Sequence, residues 1–186
     1  MEYIVIGLCV VIVIIFFIYF NIKNNSEMLV LHNEKINESL KSIDLYLEKK
    51  EEYLERALDT IKNSNKKKYS KKNIMESLII NKNKKLDRVE MYNELDKNLN
   101  ELYEIVEDDA KLKEVKKLNT VLYDLNNNDS DLMASINFYN EAVNDIKKIK
   151  KNVFTNLVIK SKDYKNFEPI FINKNEDLAI LKEDNK

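Results

Sequence analysis

The side chains that could carry chemistry are few, and their spacing decides against most reactions. His32 is the only histidine and Cys9 the only cysteine. Nucleophilic catalysis of the Ser–His or Cys–His kind needs a base within hydrogen-bond reach of its nucleophile. Cys9 lies inside an uncharged apolar run, so His32 has no thiol to activate, and it reads as a polar residue just past that run. Zinc wants three or four Cys or His ligands, which this composition does not supply. The acids at Glu107, Asp108 and Asp109 are paired closely enough to suggest a metal, but no histidine or further acid is placed to complete a site. Capping of the next helix by Asp108 or Asp109 is the expected role. The only glycine, Gly7, also sits in the apolar run, so no phosphate-cradling loop exists. The sequence therefore predicts no catalytic, cofactor-binding or metal-binding residues, and no enzyme.

One acid stands out by position. Asp129 falls on an apolar row, where it either opens to water or is buried against a base such as Lys50 or Arg88. Partial burial with a pairing role is the expectation, because the seven-residue phase runs straight through it and buried polar groups can fix register. Tyr139, also on a row, reads as a core tyrosine whose hydroxyl reaches an edge acceptor.

The elements that must position these residues begin with residues 3–20, a run without charge or strong breaker. With Asn21 and Ile22 it is long enough, at about 1.5 Å per residue, to cross a hydrocarbon layer of roughly 30 Å. Tyr3 and Tyr19 fall near its ends, where amphipathic rings favour the lipid boundary. Glu2 before the run and the polar residues 21–24 after it argue against a cleaved signal peptide. Lys23, Lys35 and Lys41 follow the run and no Lys or Arg precedes it, so the positive-inside rule favours a cytoplasmic domain on a single-pass anchor in the cell membrane.

Residues 24–63 read as one helix. Leu29, Ile36, Ile43 and Ala57 form one heptad row, and Leu40, Leu47, Leu54 and Ile61 form the other. Lys50 falls on the first row, with its stem along the core and its ammonium snorkelling out. Residues 64–72 lack periodicity and carry several lysines; a solvated connection is expected rather than a lipid or nucleic-acid patch. Asn73 and Glu76 fit a capping arrangement. A second helix follows through Leu78, Leu86, Val89, Tyr92, Leu95, Leu99, Leu102 and Val106, poorly patterned around 81–85. A third runs from about Leu112 to Asn152. Val115, Leu122, Ile136 and Val143 form one of its rows; Leu118, Leu125, Leu132, Tyr139 and Ile146 form the other. The polar stretch 126–131 is a poor helix former, yet Leu125 and Leu132 keep phase across it, so the helix is expected to continue.

The fold class that follows is all-α: an anchor (residues 1–23), then an antiparallel up–down bundle (24–172) of three long helices and a shorter fourth, or a strap, over 153–167. The long helices would each span roughly 55 Å, with the left-handed twist that heptads impose. Phe167, Ile170, Phe171 and Ile172 around Pro169 would close one end of the core, and residues 173–186 would form a mobile tail with a short helix at 176–181. One glycine and one proline in the whole chain agree with helices rather than sheets. A net charge of −1, with 34% of residues charged, argues against a nucleic-acid binder.

Two stretches resemble the LemA family of bacterial membrane-anchored helical proteins. Residues 42–50 (Ser-Ile-Asp-Leu-Tyr-Leu-Glu-Lys-Lys) look like that family's helix with Ile-Asp-Val-x-Leu followed by basic residues, and 57–62 continue it. Tyr139, Asn140 and Val143 look like its Tyr-Asn-x-x-Val, with Asn156 and Leu157 where the family has an Asn after Phe-Pro. Asp129 falls where the family has Glu. The chain departs at Leu54-Glu55-Arg56 (Ile-Pro-Asn in the family), at residues 107–111 (Tyr-Pro-Asp-Leu-Lys) and at Ile136 (Arg). The resemblance extends to about Phe167. It implies a four-helix bundle at a membrane, with no catalytic residues. The functional expectation is thus a structural or interaction protein, contacting the bilayer through residues 3–22 and protein partners at the membrane, with no nucleic acid and no evident small-molecule ligand. The alternative is a sensor or receptor subunit that takes a ligand or partner helix between its helices.

Overall fold

The structure is a computed structural model that describes residues 2–64, 87–152 and 166–172. Among the described residues every regular element is helical: α1 (Glu2–Ser64), α2 (Arg88–Glu107), α3 (Ala110–Lys113) and α4 (Lys116–Lys150). The protein is all-helical with a long N-terminal apolar helix.

Residue 23, where the anchor is expected to meet the bundle, lies inside one helix. α1 passes through it without interruption, because the run of poor helix formers there holds no glycine or proline, and Asn25 donates one turn back to Asn21 Oδ1 at 2.9 Å. No residue in the apolar start of α1 is buried, and α1 is long and apolar enough there to cross a membrane. Tyr3, Phe16, Phe17 and Tyr19 are all exposed.

α2 opens at Arg88, where Asp87 Oδ1 accepts from the amides of Val89 at 2.9 Å and Glu90 at 2.8 Å, satisfying two of the helix's orphan donors. The cap expected at Asn73, the rows at Leu78 and Leu86 and the irregular 81–85 stretch lie outside the described residues, as do nearly all of the basic connection, residues 153–165 and residues 173–186. Asp108 ends α2, and Asp109 caps α3 by accepting from Lys111 N at 3.1 Å. The third helix does not start whole near Leu112. Val115 N bonds Leu112 O in a tight turn that closes α3, Asn119 Nδ2 takes Lys113 O at 2.9 Å, and α4 starts afresh at Lys116. α4 does run unbroken through residues 126–131, as the phase of its leucines predicts.

The chain divides into two compact units. The first comprises Met1–Ile43 and Asp131–Pro169, the second Asp44–Ser130 and Ile170–Lys186. In the first, Leu29, Ile36 and Ile43 of α1 and Leu132, Ile136, Tyr139, Val143 and Ile146 of α4 are buried. In the second, α1 supplies Leu47, Leu54, Ala57 and Ile61, α2 supplies Tyr92, Leu95, Leu99, Leu102 and Val106, α3 supplies Leu112, and α4 supplies Leu118, Val121 and Leu125. Leu40, Val89, Val115 and Leu122, expected on the buried rows, are only half-buried. Nor does the segment around Pro169 plug a core: Phe171 is 77% exposed and Phe167, Ile170 and Ile172 are half-buried. The link from Tyr139 is there, its hydroxyl donating to Glu168 O at 2.9 Å.

Candidate functional site

In the second unit three helices converge on one ammonium. Lys50 of α1 is wholly buried, with Nζ 2.8 Å from Asp129 Oδ1 of α4 and 3.3 Å from Asp96 Oδ1 of α2. The ring of Tyr92 closes a third side, its centroid 4.4 Å from Nζ. An ammonium has three donors; two meet carboxylates and the face of an electron-rich ring receives the charge that remains. Lys50 therefore does not snorkel. Two carboxylates arriving from neighbouring helices satisfy it in place, which is the condition for keeping a charge inside.

Asp129 is buried and paired, and its partner is Lys50. Arg88, the other base considered, forks onto Asp44 instead, Nε to Oδ1 at 2.6 Å and Nη2 to Oδ2 at 2.8 Å, in a half-exposed pair. The residue that sequence reasoning missed is Asp96. It lies four residues after Tyr92 and three before Leu99, so it shares their face of α2, and that spacing was the signal available.

The neighbouring polar groups are matched only in part. Asn128 donates to Tyr46 O at 2.9 Å, but its Oδ1 and the Tyr92 hydroxyl have no hydrogen-bond partner. Burial, then the charges of Asp129 and Asp96, push the Tyr92 hydroxyl well above the usual tyrosine range. Burial also raises Tyr103, offset in part by its hydrogen bond to Asn126 at 3.1 Å. The cluster can hold helices in register.

The first unit holds a different feature, a cavity of about 350 Å³ between α1 and α4, lined by His32, Lys35, Glu38, Phe138, Glu141 and Asp145 among others. His32, read as a polar residue just past the apolar run, is buried at 6% exposure and its Nδ1 has no partner. The apolar residues of α4 turn this part of α1 inward, which the sequence of α1 alone does not reveal. Asp145 is held below the usual carboxylate range chiefly by its hydrogen bond from Lys148. Among the described residues no three His, Cys, Asp or Glu side chains come together as a metal site, and Cys9 is exposed in the apolar stretch.

No protein-family model matches this chain, and no curated protein or solved structure matches it.

Proposed function

We propose that this is a single-pass membrane protein with a structural or interaction role, whose anchor continues into an antiparallel LemA-like bundle on the cytoplasmic side. The observation that carries the reading is α1 itself. Its apolar start is unburied while its later turns supply buried rows to both units, with no breaker between. A run of apolar side chains with no protein cover is stable in lipid and costly in water. A helix without a hinge ties whatever the bundle binds to the anchor. Resemblance to the LemA family supports the bundle and the membrane, and the heptad rows support the up–down order.

A second reading, a sensor subunit that takes a ligand between helices, is favoured by the cavity beside His32. The test is proximity labelling from the full chain in cells, paired with alkaline carbonate extraction. Resistance to extraction, with a protein set absent from a control carrying residues 1–23 alone, is expected for the interaction role. Release by carbonate would refute the anchor, and identical protein sets would refute the interaction role.

A further inference from the structure

The lysine-rich connection 64–72 reads as solvated rather than as a lipid patch, but the fold brings another set of lysines toward the anchor. At the C-terminal end of α4, Asn152 Nδ2 lies 3.4 Å from Asn21 Oδ1 of α1, both within the first unit. Asn21 and Ile22 are the last residues of the apolar span. The end of α4 is thereby level with the place where α1 leaves the hydrocarbon, and at helical rise Lys147, Lys148, Lys150 and Lys151 come within about two turns of the level of Lys23, although more than a hundred residues separate them in sequence.

Among the described residues, these five lysines stand near the carboxylates of Glu27, Asp145 and Glu168. Lys148 is bound to Asp145 and Lys147 to Glu168, each at 2.9 Å. Among the described residues the others have no such ion pair: Lys150 meets the neutral amide of Asn166 at 3.1 Å, and Lys23 and Lys151 are exposed. We propose that Lys23, Lys150 and Lys151 form a basic collar that binds anionic lipid headgroups around the anchor. This rests on the anchor reading given above and goes beyond it in naming the lipid.

The physical argument is one of distance. At about 1.5 Å of rise per residue, Lys150 and Lys151, two and one residues before Asn152, lie within roughly 3 Å of the Asn21 level. That is inside the screening length of about 8 Å at physiological salt, so the surface charge of an anionic leaflet reaches them. Juxtamembrane lysines in that layer each gain enough attraction to favour anionic lipid severalfold. The helix end adds nothing of its own, since the C-terminal dipole is negative and is already offset by these same side chains.

The test uses the full chain reconstituted in phosphatidylcholine bilayers that contain trace spin-labelled phosphatidylserine or spin-labelled phosphatidylcholine. The motionally restricted fraction of each gives their relative association with the protein. Expected is a preference for the serine lipid of about threefold or more in dilute buffer, falling toward unity as salt shortens the screening length. In the variant K23Q/K150Q/K151Q the preference should be near unity at every salt concentration, with helicity by circular dichroism unchanged. An inserted wild-type chain with no preference overturns the collar and leaves the anchor standing, as does a preference that survives in the variant or ignores salt. A chain that fails to insert at all overturns the anchor and the collar together.

Discussion

Both units are built from α1 and α4, yet they treat buried polarity in opposite ways. The second draws Lys50, Asp96 and Asp129 from three helices and sets every charge against a counter-charge. Among its described residues the first buries one imidazole, His32, leaves its Nδ1 unmatched and keeps a cavity beside it. The second also leaves two neutral oxygens without partners, on Tyr92 and Asn128. The contrast lies in the charges. A buried ion pair seldom adds net stability, since desolvation offsets its attraction, but it penalises every arrangement that would strand one member. Leucine rows tolerate a slip by one heptad; a lysine that must find two aspartates does not. Register is therefore specified in the second unit, while the first has room for something to be added.

The largest effect should come from stranding the charges of the second unit. Lys50→Met would leave two buried carboxylates facing each other and is expected to destabilise by about 3–5 kcal/mol, measured by urea melts of the full chain in detergent micelles. The combination K50M/D96L/D129L, which removes all three charges, should recover most of that loss or exceed wild type. If the single variant melted within about 1 kcal/mol of wild type, water would be reaching the cluster and the contrast between the units would disappear.

Next come the two carboxylates, which need not be equal. Asp129 makes the shorter contact, 2.8 Å against 3.3 Å for Asp96. Asp129→Ala is expected to cost about 1.5–3 kcal/mol, the range for a hydrogen bond to a charged group, and Asp96→Ala less, because Asp129 alone can still hold the ammonium. The reverse order in the same melts would make Asp96 the principal partner.

A smaller effect of opposite sign is expected in the first unit. Replacing His32 by Leu removes a buried ring whose Nδ1 has no partner, so the change should be neutral or stabilising by up to about 1 kcal/mol. A clear loss of stability would mean that His32 is hydrogen-bonded in solution, and that the first unit also specifies its polar contacts.

How far these two regions could be read in the sequence depends on whether one helix or several define them. The heptad rows of α1 and α4 were legible, because each is a property of a single segment: Leu29, Ile36, Leu47 and Leu54 are buried, as are Leu118, Leu132 and Ile146. Asp129 was legible for the same reason, since its place on a row can be counted. Lys50 is legible on its row and as a candidate partner of Asp129, but the choice between snorkelling and burial belongs to the helices opposite. Asp96 was passed over because Leu95 beside it fills the expected row position, and the face of α2 is wide enough to bury both. The division at Glu114 and Val115 was not anticipated, as it depends on local bonds from Asn119 and Val115 rather than on any proline or glycine. The place of His32 and the meeting of Asn152 with Asn21 depend on how α1 and α4 pair, which no single-segment pattern contains.

The smallest expected effect tests the neutral part of the cluster. Tyr92→Phe keeps the ring that faces Lys50 at 4.4 Å and removes only a buried hydroxyl without a partner. Near neutral pH the change should therefore alter stability by less than about 0.5 kcal/mol. At high pH the two chains should separate. Burial first, and the carboxylates of Asp129 and Asp96 after it, hold the folded hydroxyl above the ordinary tyrosine value of about 10. Below that value both states keep the proton, and the hydroxyl has no influence on the pH dependence. Above it the unfolded chain releases the proton while the folded chain retains it, so wild-type stability falls as pH rises. Phenylalanine has no proton to release and loses this contribution, so its alkaline decline should be shallower from about pH 10 upward. The decline should not vanish, because Tyr103 is raised as well and remains. Urea melts of both chains between neutral pH and about pH 11 would measure the difference. Parallel curves would mean that the hydroxyl is reached by solvent in the folded protein, and that the cluster around Lys50 is less closed than its geometry implies.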